Sequence, residues 1–219
     1  IRFEQYWLTG GPDVQWLSMS VAKSFVSAML GIAVADGRID SIHDPVDKYL
    51  PELAGSGYAG VSIKDVLQMS SGVRWNEDYA DPQSDIFRFA HVMASGSSFA
   101  AFPATLTRQH EPGTFNRYNS TDTIVLGMLL ERVTGTTLAQ YMQERLWGPI
   151  GATKDAYWLT DDHGMAFASG GLNATARDFA RIGELYRKGG RWGRRQVIPK
   201  AWVKASLAPD APHLMRGMR

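Results

Sequence analysis

Apolar residues recur at intervals of three and four along most of this chain, which is the period of helices with a buried face. The first such run begins at about Ser20 and reaches Ala35, where Asp36-Gly37 ends it. Ser62 and Thr175 stand where N-caps are expected, and Gly135 stands where a helix ends. These signals predict further helices over 62–69, 84–94, 120–134, 137–146, 176–187 and 199–207.

Alternation of apolar and polar residues is confined to the start of the chain. Over 2–7 it places Phe3, Gln5 and Trp7 on one side, which predicts a short strand. Little strand pattern is visible elsewhere, and a lone strand is not stable. We therefore expect its partner strands outside this sequence or in another molecule.

The composition excludes several classes of function. The chain has 219 residues, 44% of them hydrophobic, which is enough for a sizeable core. Its 23 Lys and Arg nearly balance its 22 Asp and Glu, so nucleic acid is not an expected partner. It has no cysteine, which excludes disulfides and thiolate metal sites. No apolar run approaches the ~18 residues of a membrane span.

The ends of the sequence indicate a piece of a longer protein. It begins at Ile1 without a methionine and stops abruptly at Arg219. We expect one domain over 1–219, continued at both ends, with its helical region at about 20–187. The sequence leaves the oligomeric state and the compartment open, although we favour the cytoplasm.

Ser20 and Lys23 form the only Ser-x-x-Lys pattern in the chain. Residues three apart share a helix face, about 5–6 Å between Cβ atoms. The lysine has apolar neighbours, which disfavour an ammonium, and a neutral amine there can take the serine's proton. Those neighbours are Ala22, Phe25, Val26, Met29 and Leu30. The plainer alternative is an N-capping serine beside a lysine that reaches solvent.

Ser18 suits the cap position better than Ser20. Ser20 would then lie in the first helical turn, where main-chain N–H groups have no partner within the helix. Such an N–H group can bind the oxyanion that forms on the substrate when a nucleophilic serine attacks it.

A second candidate is Tyr118-x-Ser120, just before a predicted helix. Residues two apart in extended chain point to the same side, so both hydroxyls could face one cleft. Alternatively Ser120 merely caps the helix, with Asp122 in its first turn, and for Ser120 alone we favour this alternative. Tyr118 has no capping role, and a tyrosine beside a cation can carry a proton.

Together the two motifs resemble those of the serine β-lactamase and penicillin-binding-protein superfamily. Ser20-x-x-Lys23 is similar to its first motif, and Tyr118-x-Ser120 to its second, which in many members is Tyr-x-Asn. The spacing and flanking residues fit the class C-like branch, and several phrases look closest to 6-aminohexanoate-dimer hydrolases and family VIII esterases. These sequence segments are 18–25, 118–127, 146–151 and 170–178.

The resemblance implies an α+β fold, with a helical subdomain here and an antiparallel sheet subdomain largely missing from this chain. It implies a serine hydrolase for small amide or ester substrates that needs no cofactor. Ser20 would attack, Lys23 and Tyr118 would move its proton, and Ser120 would join their hydrogen bonds. The third motif of the superfamily, Lys-Thr-Gly or a variant, is absent from the sequence. Its absence supports a longer protein.

Other residues allow two interpretations each. Tyr79 matches a region where the amide-hydrolase relatives place a substrate-contacting tyrosine, but a solvent-facing aromatic fits equally well. The tryptophans at 75, 147 and 158 could line a pocket, although core packing is favoured for each. The acidic residues at 77, 78, 81 and 85 could hold a substrate ammonium, although solvated loop charges are the expected case. The five histidines have no metal-binding spacing.

Three rival functions remain open. A β-lactamase or D-amino-acid peptidase would use the same serine on different substrates. A penicillin-binding or sensing module would become acylated at Ser20 with little turnover. A non-catalytic scaffold would not become acylated at all.

Overall fold

The computed structural model of the chain describes residue 1 and residues 3–214. Within these residues the chain forms seven α-helices and two small antiparallel sheets. The helices are α1 (Ala22–Ala35), α2 (Ile63–Leu67), α3 (Asp85–Ala94), α4 (Ser120–Thr134), α5 (Leu138–Met142), α6 (Ala176–Arg187) and α7 (Lys200–Ser206). The strands are β1 (Gln15–Leu17), β2 (Tyr157–Trp158), β3 (Leu172–Thr175), β4 (Arg191–Trp192) and β5 (Arg195–Gln196).

The predicted helices are confirmed most closely where a local signal marks an end. The side chains of Ser62 and Thr175 accept hydrogen bonds from main-chain N–H groups in the first turns of α2 and α6. Gly135 ends α4 with a φ of 70°, the left-handed conformation that glycine adopts without strain. The helix predicted over 137–146 changes to a π-helical turn in its second half. The last helix begins one residue after Pro199, which is its N-cap.

The predicted N-terminal strand is wrong. Residues 3–7 pair with no described strand, and Trp7 is 69% exposed, so their alternation fills no buried face. Arg2 lies outside the described residues. The first strand is instead β1, which pairs antiparallel with β3 and sets Trp16 opposite Ala174. Since β3 also pairs with β2, the strands of this sheet find their partners within the chain, contrary to the expectation.

α1 lies at the centre of the core and is apolar on most sides. Phe25 and Leu30 are at most 1% exposed, and burying each stabilises the fold by about 1.5–3 kcal/mol. α1 packs against α4, which is buried from residue 120 to residue 130. α7 approaches α1 so closely that a Cβ on Gly31 would overlap the indole of Trp202. The two motif-bearing segments therefore stand at the N-terminal ends of two mutually packed, buried helices.

An aromatic cluster supports two loops that reach the site. Trp75 packs edge-on against Phe102 at 6.4 Å between ring centroids, and Phe102 contacts Phe89 at 5.2 Å. Phe99 extends the cluster to Phe167 at 5.9 Å. Aromatic pairs at such distances contribute about 0.5–1.5 kcal/mol beyond their buried area. The loop after Trp75 and the turn after Phe167 therefore share one packed support.

Candidate active site

Ser20 lies on an exposed 3₁₀ turn, Met19–Val21, immediately before α1. Met19 has a φ of 46°, which is uncommon for a residue with a side chain. Ser18, the residue before the turn, connects it to the sheet, because its main-chain N–H donates to the Leu172 carbonyl oxygen of β3 at 2.7 Å. Backbone strain of this kind concentrates at functional sites, where the surrounding structure fixes it. The observed conformation presents the Ser20 side chain to solvent.

The expected capping role of Ser18 is wrong. Its hydroxyl accepts no hydrogen bond from the helix and instead donates to the carbonyl oxygens of Met19 at 3.0 Å and Gly170 at 3.3 Å. The 3₁₀ turn separates Ser18 from α1, so its side chain faces the sheet. Ser18 therefore fixes the turn and not the helix end.

Lys23 lies one turn after Ser20, as the spacing predicts. Its Nζ donates to Ser20 Oγ at 3.0 Å and to the carbonyl oxygen of Ser169 at 2.7 Å. The same nitrogen lies 5.1 Å from the centroid of the Tyr118 ring. The predicted apolar neighbours, such as Phe25, are buried in the core. The head group is thus positioned by a hydroxyl, a carbonyl and an aromatic ring.

Tyr118 is 46% exposed and stands directly before α4. The chain on either side of it is fixed, because Arg117 donates its main-chain N–H to the Met69 carbonyl oxygen at 2.9 Å. On the other side Asn119 caps α4, with its side chain accepting from the main-chain N–H of Thr121 at 2.8 Å. The structure therefore brings Tyr118 to Lys23, although the two are far apart in sequence.

Ser120 does not cap α4, so the favoured alternative for it is wrong. Asn119 holds the cap, and Ser120 is the first helical residue, only 4% exposed. Its hydroxyl donates to Glu77 Oε1 at 2.7 Å, and its main-chain N–H donates to Glu77 Oε2 at 2.9 Å. Within the described chain no hydrogen bond joins Ser120 to Ser20 or Lys23.

Tyr79 lies in the same network and is 66% exposed. Its hydroxyl donates to Glu77 Oε1 at 2.9 Å. Partial desolvation, together with the Glu77 carboxylate beside the hydroxyl, raises the pKa of Tyr79 to about 12. Tyr79 and Ser120 therefore donate to the same oxygen of Glu77.

Two features of the site could not be predicted from the sequence: the hydrogen bonds of Glu77 and the contact of Lys23 with the Ser169 carbonyl oxygen. Solvated loop charges, the expected case for the four acidic residues, are the wrong description of Glu77 and of Asp85. Asp85 is 3% exposed and pairs with Arg88 at 2.6 Å. A usable signal was the spacing Trp75-x-Glu77-x-Tyr79, because residues two apart in extended chain share a side.

The three tryptophans belong to the core, as favoured. Trp75, Trp147 and Trp158 are between 2% and 8% exposed.

Over residue 1 and residues 3–214, no group of three or more His, Asp or Glu side chains is placed to hold a metal ion. No helix in the same range combines the length and apolarity needed to cross a bilayer.

Comparison with known proteins identifies the family. The model of the family described as beta-lactamase matches residues 10–218. The chain belongs to the beta-lactamase family. This confirms the resemblance stated from the two motifs, and the solved structures described below confirm the expected α+β fold.

Among the relatives of this beta-lactamase-family chain is a 6-aminohexanoate-dimer hydrolase of Paenarthrobacter ureafaciens. The two are 37% identical over 221 residues, which cover 96% of this chain and 55% of that protein. A solved structure from Bacillus anthracis, described as a candidate 6-aminohexanoate-dimer hydrolase, has a TM-score of 0.84 and 25% identity. That match covers 93% of this chain and 55% of the other. The chain thus spans about half the length of these relatives.

A third match shows the fold alone. The D-stereospecific amidohydrolase from Streptomyces sp. has a TM-score of 0.67 and 21% identity, covering 90% of this chain and 66% of the other. None of these matches tests the roles of individual residues, so the catalytic assignments of Ser20, Lys23 and Tyr118 stay predictions.

Proposed function

We propose that this chain carries the nucleophile of a serine hydrolase that cleaves amide or ester bonds through an acyl-enzyme. The observation that carries the proposal is the 3.0 Å contact between Lys23 Nζ and the exposed Ser20 Oγ. The likeness to a 6-aminohexanoate-dimer hydrolase supports a linear amide of that kind, or a simple ester, as the substrate.

The contacts of Lys23 suit it to the role of general base. In its neutral form the amine has two N–H donors and one lone pair. The Ser169 carbonyl oxygen, at 2.7 Å, takes one donor and so orients the lone pair toward Ser20. Ser20 Oγ loses its proton to Lys23 as it attacks the substrate carbonyl carbon. The main-chain N–H of Ser20, at the start of the helix, supports the oxyanion that forms.

Tyr118 then carries the proton onward. The proposal is supported by its ring, which lies beside Lys23 Nζ, and by its exposure of 46%. The proton moves from Lys23 through Tyr118 to the leaving nitrogen or oxygen, and the carbonyl–heteroatom bond breaks. Water then attacks the acyl-enzyme, gives its proton back along the same path, and releases Ser20.

The test is covalent labelling of the full chain with a fluorophosphonate, read by intact mass. We expect one adduct on the wild type and none on Ser20→Ala. Ser24→Ala is the matched control, since Ser24 is an exposed serine four positions later, in the first turn of α1, and it should label like the wild type. An adduct on Ser20→Ala, or none on folded wild type, would refute the proposal.

Turnover then separates the rival functions. We expect steady hydrolysis of the 6-aminohexanoate dimer or of a p-nitrophenyl ester. Steady hydrolysis of a chromogenic cephalosporin alone would select a β-lactamase. A single burst of acylation without turnover would select a penicillin-binding module.

A further inference from the structure

Among residue 1 and residues 3–214, Glu77 is the one carboxylate whose hydrogen bonds reach both Tyr79 and Ser120 of the second motif. Oε1 accepts from Ser120 Oγ at 2.7 Å and from the Tyr79 hydroxyl at 2.9 Å. Oε2 accepts from Trp75 Nε1 at 2.7 Å and from the main-chain N–H of Ser120 at 2.9 Å. Since a carboxylate oxygen offers about two acceptor positions, four donors occupy this side chain fully. It has no capacity left for a substrate ammonium.

These four bonds join two segments that are distant in sequence. Trp75 and Tyr79 belong to the loop before α3, whereas Ser120 opens α4, 43 positions after Glu77. The indole of Trp75 is buried in the aromatic cluster, so the Trp75 bond fixes the carboxylate to the core. Glu77 also lies at the N-terminus of α4, a 15-residue helix whose dipole favours a negative charge there.

The bonds of Glu77 bear directly on Tyr118. Tyr118 is separated from Ser120 by Asn119 alone, so the Glu77–Ser120 contacts fix one end of its short segment. Lys23 Nζ lies 5.1 Å from the centroid of the Tyr118 ring, and a relay requires the Tyr118 hydroxyl to stay within hydrogen-bond reach of the groups that exchange the proton. Meanwhile Ser120 and Tyr79 give their only hydroxyl protons to Glu77. Of the hydroxyls of Tyr79, Tyr118 and Ser120, that of Tyr118 is then the one left to act as a proton donor.

We propose that Glu77 is a positioning residue of the hydrolase site, which holds Tyr118 and Tyr79 in register with Lys23. The inference rests on the proposed function. Glu77 touches none of the reacting atoms, so its removal should leave the nucleophile in place and impair the steps that need the tyrosines. Displacement of a catalytic group by about 1 Å can cost on the order of 100-fold in rate.

Glu77→Gln tests this in the full chain. The amide replaces one acceptor oxygen by an N–H₂ group, so two of the four donors lose their acceptor in either orientation. Asp78→Asn is the matched control, since it removes the same charge one residue away, at a side chain that accepts from the main-chain N–H of Ala80 within its own loop. Turnover is expressed per site titrated with fluorophosphonate, so that unfolded molecules are not counted.

We expect Glu77→Gln to lower kcat per titrated site by about 10- to 100-fold, with KM changed less than threefold and Ser20 still labelled. Asp78→Asn should stay within twofold of the wild type. Adding Tyr79→Phe to Glu77→Gln should cost less than it does in the wild type, since both changes break the same contact. A kcat for Glu77→Gln equal to that of Asp78→Asn, or fully additive effects, would overturn the inference.

A second variant covers a failure of Glu77→Gln to fold. Ser120→Ala removes only the Oγ–Oε1 bond, and a kcat per titrated site equal to that of the wild type would overturn the inference. Absence of any adduct on the wild type is a different result, because it overturns the proposed function and this inference with it.

Discussion

The buried carboxyl of Asp122 should make the stability of this protein depend on pH. Asp122 is 1% exposed in the first turn of α4. Its Oδ1 accepts from the Tyr58 hydroxyl at 2.8 Å and from Asn119 Nδ2 at 3.0 Å. Burial raises the pKa of Asp122 from 3.8 to about 7, and the bond from Tyr58 limits the rise. The perturbation that tests this is Asp122→Asn, which resembles the protonated acid in shape.

The sign and size follow from the difference between the folded and unfolded states. As the pH rises above 3.8 the unfolded chain releases this proton, whereas the folded chain holds it until about pH 7. The stabilisation is therefore fully present below pH 3.8 and is lost as the pH rises toward 7. Each pH unit in this window costs about 1.4 kcal/mol. From pH 5 to pH 8 the wild type should lose about 3 kcal/mol relative to Asp122→Asn.

Urea unfolding at pH 5, 6, 7 and 8 measures the two free energies of unfolding. At pH 5 the variant should be the less stable by about 1 kcal/mol, because its N–H₂ group is buried without the acid's bonding pattern. At pH 8 it should be the more stable by about 2 kcal/mol. Asp162→Asn, at an exposed position, controls for the loss of one carboxyl and should parallel the wild type.

A constant difference between the wild type and Asp122→Asn across this range would refute the reasoning. It would mean that Asp122 titrates alike in the folded and unfolded chain. If Asp122→Asn instead gained stability relative to the wild type as the pH falls, the folded state would stabilise the charged carboxylate, contrary to its burial.

Two further predictions concern the nucleophile and the backbone. Lys23→Arg keeps a cation that cannot take a proton, so the rate of fluorophosphonate labelling at Ser20 should fall by about 10²- to 10⁴-fold; an unchanged rate would exclude Lys23 as the base. The backbone prediction compares alanine substitutions at Gly72 and Gly135, which have similar φ values of 74° and 70°. A Cβ added to Gly72 would overlap the His110 carbonyl oxygen, whereas a Cβ added to Gly135 would have no atom within 4 Å. Gly135→Ala should cost about 1–2 kcal/mol in urea unfolding and Gly72→Ala clearly more; equal losses would contradict the steric argument.

Local features of this chain could be predicted because their causes lie within a few residues. Ser62 and Thr175 each accept a bond from the residue three positions on, and Gly135 ends α4 through its own backbone conformation. The pairing of Ser20 with Lys23 is equally local, since one helical turn fixes it. These positions therefore followed from periodicity and residue type alone.

Contacts across long separations depended on the tertiary structure. β1 found its partner in β3, more than 150 positions later, and three residues carry too little pattern to reveal such pairing. Lys23 meets the Ser169 carbonyl oxygen 146 positions away, and Ser120 meets Glu77 43 positions away. Glu77 resembled its acidic loop neighbours because sequence shows charge but not burial. The packing of α1 against α4, together with the loops before α3 and β3, brought these groups together, since burial is set by the whole fold.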